Sequence, residues 1–96
     1  MRVLWSEEAK ATFNQNILYL EKEWNQSVID NFLDKTDTSI SAISKHPLLF
    51  PIVGKGNKIH KCLVVTQVSL YYKIVGDEIH LLTFWNNYKD PEKLKL

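Results

Sequence analysis

A chain of 96 residues is short for two domains, so a few elements must share one core. Hydrophobic residues at 45% and charged residues at 24% belong to a folded globular protein and exclude a disordered or collagen-like chain. The formal net charge of +1, from 12 Lys+Arg against 11 Asp+Glu, excludes a uniformly basic nucleic-acid binder and leaves only local basic patches for such contacts.

Arg2-Val3-Leu4-Trp5 is a short apolar run. Ser6 then offers an N-cap, and Glu7 and Glu8 are acids suited to a first turn, so a brief strand should lead into a helix. Ala9, Phe13, Ile17, Leu20 and Trp24 recur at helical spacing and lay one apolar stripe along that helix. Asn25-Gln26-Ser27 breaks the pattern with turn and cap formers. Ile29, Leu33, Thr36, Ile40 and Ile43 resume it until His46-Pro47, which predicts a second helix folded back antiparallel to the first. From Pro47 to Asn57 prolines and glycines replace periodicity, the mark of a connecting loop.

The last third is rich in β-branched and aromatic residues over 59–65, 69–75 and 78–85, which predicts three strands. Gly76-Asp77 suits a two-residue hairpin turn with glycine first, and a three-residue turn is expected at Thr66-Gln67-Val68. The charged end from Tyr88, with Asp90-Pro91, reads as a short helical turn or a frayed tail.

Register decides what this sheet can do. Val75 should pair with Glu78, Lys73 with His80 and Tyr71 with Leu82, while the three-residue turn would set Lys61 opposite Lys73 and Leu63 opposite Tyr71. One face then carries Cys62, Val64, Leu70, Tyr72, Ile74, Ile79 and Leu81, apolar enough to receive both helices. The other carries Leu63, Val65, Tyr71, Leu82 and Phe84 beside Lys61, Lys73 and His80. Two helices cannot cover both faces, so this second face should await a partner peptide, extended or helical, unless the C-terminal tail folds back over it. Two facing lysines would repel unless an anion lay between them or their side chains splayed apart, and a two-residue turn would remove that pairing.

The lone Cys62 cannot form an internal disulfide or complete a zinc site and reads as a small buried apolar residue. No apolar run is long enough for a membrane span or a signal peptide, so the expected location is the cytoplasm. The acids Glu7, Glu8, Glu21 and Glu23 read as solvated helix faces. No glycine-rich phosphate loop, cysteine pair or nucleophile elbow is present, and no cofactor or metal is expected; 54–58, with two lysines among glycines, is only a weak phosphate contact. A single domain over 1–96 follows.

This order of strand, helix hairpin, loop and three-stranded end resembles the RelE/ParE toxin superfamily over essentially the whole chain. The resemblance rests on Trp5-Ser6-Glu7-Glu8-Ala9, on His46-Pro47 with Phe50-Pro51, on Ile59-His60-Lys61-Cys62-Leu63-Val64 with Leu70-Tyr71-Tyr72-Lys73-Ile74, and on Phe84-Trp85-Asn86-Asn87 with Asp90-Pro91, the last closer to the ParE-like branch. It implies an α+β fold in which an N-terminal strand and an antiparallel two-helix hairpin pack with an antiparallel sheet completed by three C-terminal strands. It also implies a toxin of a bacterial type II toxin–antitoxin system, of the kind tied to plasmid stabilisation and growth inhibition, silenced by an antitoxin peptide. Leu63, Val65, Tyr71, Leu82 and Phe84 would receive that peptide.

Two targets follow from the resemblance. ParE-like members inhibit DNA gyrase without hydrolysis, whereas RelE-like members cut messenger RNA in the ribosome. RNA cleavage needs a general base, a general acid and cations for phosphate, for which His60, Lys61, Lys73, His80 and Tyr88 are the candidates. The resemblance places His60 and Tyr88 where many relatives carry arginine, and Arg2 is the only arginine here, which favours the ParE-like reading. Ordinary strand histidines and a plain loop tyrosine are the structural alternatives, and an orphan member that keeps only the fold is a third reading.

Overall fold

Ser6 ends one element and starts the next. In the computed structural model, which describes residues 1–54 and 56–96, β1 (Arg2–Trp5) stops at Ser6, whose hydroxyl accepts from the Ala9 backbone N–H at 2.9 Å and caps α1 (Glu7–Glu23). Asn25 repeats the device, its side chain accepting from Val28 N–H at 3.1 Å to start α2 (Gln26–Lys45). The helix stops at His46, which Pro47 disfavours in helical geometry. The return brings Ser44 to the chain's first residue, where the Met1 ammonium donates to the Ser44 carbonyl at 3.0 Å.

The stripe of α1 is as its spacing predicts for Ala9 and Leu20, both fully buried, while Trp24 is the exposed C-cap. On α2 the core face turns toward Phe32, which is fully buried, and leaves Leu33 40% exposed. The reason is aromatic packing: Phe32 meets Phe13 at 5.3 Å and Phe84 at 6.3 Å between ring centroids.

β2 (His60–Val65), β3 (Val68–Val75) and β4 (Glu78–Asn86) complete a four-stranded sheet in the order β1-β4-β3-β2. The sheet is mixed, because β1 runs parallel to β4 while the other pairs are antiparallel. Gly76 takes a positive φ of 63° in the β3–β4 turn, the backbone that a glycine-first two-residue hairpin requires.

Two bulges set the faces. Val75 pairs with Glu78 and Lys73 with His80 as predicted, but the register then slips, and Tyr71 pairs with Thr83 instead of Leu82. The Leu82 carbonyl accepts from the Ser6 hydroxyl at 3.1 Å, so the residue that caps α1 also anchors the bulge. Beyond it parity is reversed, and Phe84 enters the core, 1% exposed, against Trp5, Phe13 and Phe32. The β2–β3 hairpin closes over two residues, Thr66 and Gln67, not three, and a bulge between Leu63 and Val65 follows at once.

β1 pairs with β4 only as far as Trp5 opposite Leu81. Past that point α1 lies along the edge of β4 in place of a strand. The Thr12 hydroxyl accepts from Phe84 N–H at 2.9 Å, and the Asn16 amide donates to the Phe84 carbonyl at 2.9 Å. Two side chains thus satisfy backbone groups that a neighbouring strand would otherwise pair.

The loop before β2 is tied down from below. Tyr72 donates to the Pro47 carbonyl at 2.7 Å, Lys61 N–H to the Pro51 carbonyl at 2.9 Å and Val53 N–H to the Ile59 carbonyl at 2.8 Å. The glycine-containing stretch read as a weak phosphate contact includes Lys55, which lies outside the described residues. The tail read as a helical turn or a frayed end forms a 3-10 turn, Pro91–Lys93, capped by Asp90.

Candidate functional site

Both helices bury their stripes against the side of the sheet that holds Cys62, Leu70, Tyr72, Ile79 and Leu81. Strand alternation puts Lys61, Leu63, Ser69, Tyr71, Lys73, Thr83, Glu78 and His80 on the opposite side. That side is uneven. Tyr71, Ser69 and Thr83 are buried, whereas Leu63 is 60% and Val75 42% exposed and Lys73 is exposed. The accessible part therefore lies toward β2 and the Gly76 turn.

The expected peptide-binding set divides accordingly. Leu63, Tyr71 and the half-buried Leu82 remain on or beside the open side, with Tyr71 already covered. Val65 and Phe84 do not belong to it: both join the core cluster, because each follows a bulge that reverses alternation.

Of the five candidate catalytic residues, the structure brings three onto one surface. Lys73 and His80 are a cross-strand pair, and Lys61 pairs with Tyr71, one step along β3 from Lys73. The expected pairing of Lys61 with Lys73 is absent, and with it the case for an anion held between them. The two-residue turn alone would have moved Lys61 to the helix side; the adjacent bulge restores its face but shifts its partner by two residues.

His60 and Tyr88 lie elsewhere. His60 is buried and stacks on Tyr72, ring centroids 4.9 Å apart at 11°. Its Nδ1 is 2.7 Å from the Phe50 carbonyl oxygen, an atom that only accepts, so Nδ1 carries the proton and the imidazole holds the loop down. Tyr88 is 57% exposed and packs on Trp24 at the turn between the helices.

Two further residues join His80. Its Nε2 lies 3.3 Å from Glu78 Oε1, and Glu78 Oε2 lies 3.6 Å from Arg2. The carboxylate only accepts, so Nε2 carries a proton and donates to it, and Nδ1 has no partner among the described residues. Glu78 two residues before His80 on one strand face was legible from alternation; Arg2 was not, because its place depends on the parallel β1–β4 pairing. Burial pushes the Tyr71 phenol above its ordinary range, which opposes its use as a base. This surface thus offers one imidazole held by a carboxylate, two lysines and exposed apolar side chains, a set suited to gripping a peptide with acidic and apolar residues.

Among the described residues no group of three His, Cys, Asp or Glu could hold a metal ion, and no helix is long and apolar enough to cross a membrane.

At the level of sequence, no protein-family model and no curated protein matches the chain. Its fold is shared with solved toxin structures. A structure of the chromosomal ParDE TA system from P. aeruginosa superposes with a TM-score of 0.73 at 10% identity, covering 90% of this chain and 95% of that one. A copper-bound mutant toxin from Helicobacter pylori gives 0.63 at 19% identity over 91% and 94%. The YoeB/ParE toxin from Agrobacterium tumefaciens gives 0.62 at 10% identity over 92% and 100%. Nearly complete coverage in both directions means that strand, helix pair and three-stranded end align as one unit, so the chain has the RelE/ParE-like α+β fold.

Proposed function

We propose that this chain is the toxin of a bacterial type II toxin–antitoxin pair, acting in the cytoplasm by binding and inhibiting a target such as DNA gyrase. The observation that carries this reading is the half-open sheet face. Leu63 and Val75 stand exposed beside Lys61, Lys73 and His80, while both helices occupy the other side. Past the isolated bridge between Ile52 and His60, the outer edge of β2 has no strand partner among the described residues. An antitoxin segment can add a strand there and lay its apolar side chains on Leu63, with acidic ones toward Lys61 and Lys73.

A specific observation keeps the second reading, ribosome-dependent cleavage of messenger RNA. His80 held by Glu78 next to Lys73 is a general base beside a phosphate-binding cation. Against it, His60 and Tyr88 face other parts of the molecule, so only the ammonium groups of Lys61 and Lys73 remain from the candidate set to donate a proton beside His80.

Expression of the chain alone in bacteria, with plasmid supercoiling and messenger RNA both assayed, separates the readings. Early loss of supercoiling with intact messages is the expected result. Codon-linked cuts abolished by His80→Ala would replace it with the nuclease reading. Unimpaired growth would leave a fold without the activity.

A further inference from the structure

Four aliphatic residues in the loop between α2 and β2 stand in water: Leu48 is 77%, Leu49 63%, Ile52 53% and Val53 48% exposed. Single exposed apolar residues are ordinary, but four among residues 48–53 form a patch. The loop that carries them is not loose. Tyr72, Lys61 and Ile59 hold its backbone from the sheet side, His60 holds the Phe50 carbonyl, and Leu49 N–H donates to the His46 carbonyl at 3.0 Å. The anchored backbone thus presents its aliphatic side chains outward, and exposures this high belong to a projecting tip, not to the wall of a groove.

The charge around this tip has one sign. Residues 38–76 hold five of the chain's lysines and none of its Asp or Glu. Lys45 ends α2 just before the loop, and Lys58 adjoins Ile59, to whose carbonyl the loop's Val53 donates. Both lysines are exposed, and neither is in an ion pair among the described residues. Lys58 takes a φ of 53°, left-handed backbone that glycine or asparagine adopts more readily, so the ammonium stands where local geometry alone would favour another residue.

We propose that this loop docks on an anionic lipid surface, its aliphatic tip entering the headgroup layer while Lys45 and Lys58 meet lipid phosphates. Lysines without acids call for an acidic cover. What accompanies the lysines selects its kind. The core of a protein interface is rich in aromatic residues and arginine and poor in lysine, and a single nucleic-acid strand stacks its bases on aromatic rings. This patch offers neither: Phe50 is half-buried against Tyr72, and the one arginine lies on β1. Aliphatic groups flanked by lysine suit a bilayer surface, where alkyl groups leave water and ammonium groups stay at the phosphates. The contact is peripheral, since no described helix is long and apolar enough to cross a membrane. It goes beyond the toxin reading and does not rest on it, because Leu63, Lys61 and Lys73 are not used.

The test is co-sedimentation of the intact protein with vesicles of equal parts phosphatidylglycerol and phosphatidylcholine, with vesicles of phosphatidylcholine alone, and with glycerol phosphate as competitor. Binding to the anionic vesicles alone, weakening as salt rises and indifferent to glycerol phosphate, is expected. L48A/L49A should weaken it more than about tenfold through lost alkyl burial. K45Q/K58Q should weaken it about 30-fold, at roughly fivefold for each lysine. All four sites are exposed, so both variants should keep the parent's circular dichroism. Leu63→Ala, a change on the sheet face assigned to the antitoxin, should bind vesicles as the parent does. Leu48→Trp should be quenched by brominated acyl chains beyond the level of the parent's own tryptophans. No binding to anionic vesicles, binding indifferent to L48A/L49A, or full competition by glycerol phosphate overturns the proposal. Polyglutamate or an oligonucleotide bound with the same variant dependence, where vesicles fail, overturns it as well and assigns the patch to that partner.

Discussion

Phe84 separates two arrangements of this sheet, and its truncation measures which one holds in solution. On the sheet's open side, Phe84→Ala would remove a surface ring at a cost within about 0.5 kcal/mol. In the register described, the ring is 1% exposed and lies 5.3 Å from Trp5, 5.2 Å from Phe13 and 6.3 Å from Phe32, centroid to centroid. Deleting a buried phenyl costs about 3–5 kcal/mol, the lost transfer energy plus the cavity left behind. A domain of this size is stable by only about 5–15 kcal/mol, so at least about a fifth of the margin goes. The melting temperature should fall by about 12–40 °C at roughly 4–8 °C per kcal/mol. Phe84→Leu keeps most of the volume and loses ring pairing, so it should cost about 1–2 kcal/mol. Urea unfolding followed by tryptophan fluorescence reads both variants, with Trp5, whose ring stacks on Phe84, as one reporter. A loss below about 1 kcal/mol for Phe84→Ala, with native circular dichroism, would refute the bulge at Leu82 and the face assignments built on it.

Thr12→Val removes the hydroxyl that accepts from Phe84 N–H and leaves that donor unpaired beside the helix, at a cost of about 1–3 kcal/mol in the same urea assay. The Tyr72 phenol, fully buried and next to Cys62, is pushed from an ordinary 10.0 up to about 12, chiefly by burial. Because folding favours the protonated form, its contribution is complete below pH 10.0 and is lost as pH rises toward about 12. Stability of Tyr72→Phe, measured at several alkaline pH values, should decline less steeply over that window than the parent's. The Cys62 thiol is 1% exposed, and burial raises its pKa despite a hydrogen bond with Ser39. A thiol reagent should therefore label it only after unfolding, and rapid labelling of the folded protein would contradict the packing of α2 on β2.

Local chemistry was enough to place the elements. Ser6 and Asn25 cap, Pro47 stops α2, and Gly76 turns the last hairpin because each acts on backbone groups a few residues away. The pairs nearest that turn, Val75 with Glu78 and Lys73 with His80, were legible for the same reason, and with them the part of the candidate site that survives. The sequence also marked Leu63 as an apolar residue on a polar-flanked face, which its exposure bears out.

What sequence could not carry was whatever depends on residues far apart in the chain. The bulge at Leu82 is fixed by Ser6, 76 positions away, and once present it sends Phe84 into the core. Val65 follows its own bulge inward, and Arg2 reaches Glu78 only because β1 pairs parallel to β4. Strand alternation has a period of two, so one inserted residue exchanges the faces of everything after it, and no local propensity records that insertion. Sequence alone thus determined that two helices and four strands would form and which ends would be capped. Tertiary packing decided which side of the sheet each late residue occupies, and so which of them can meet a partner.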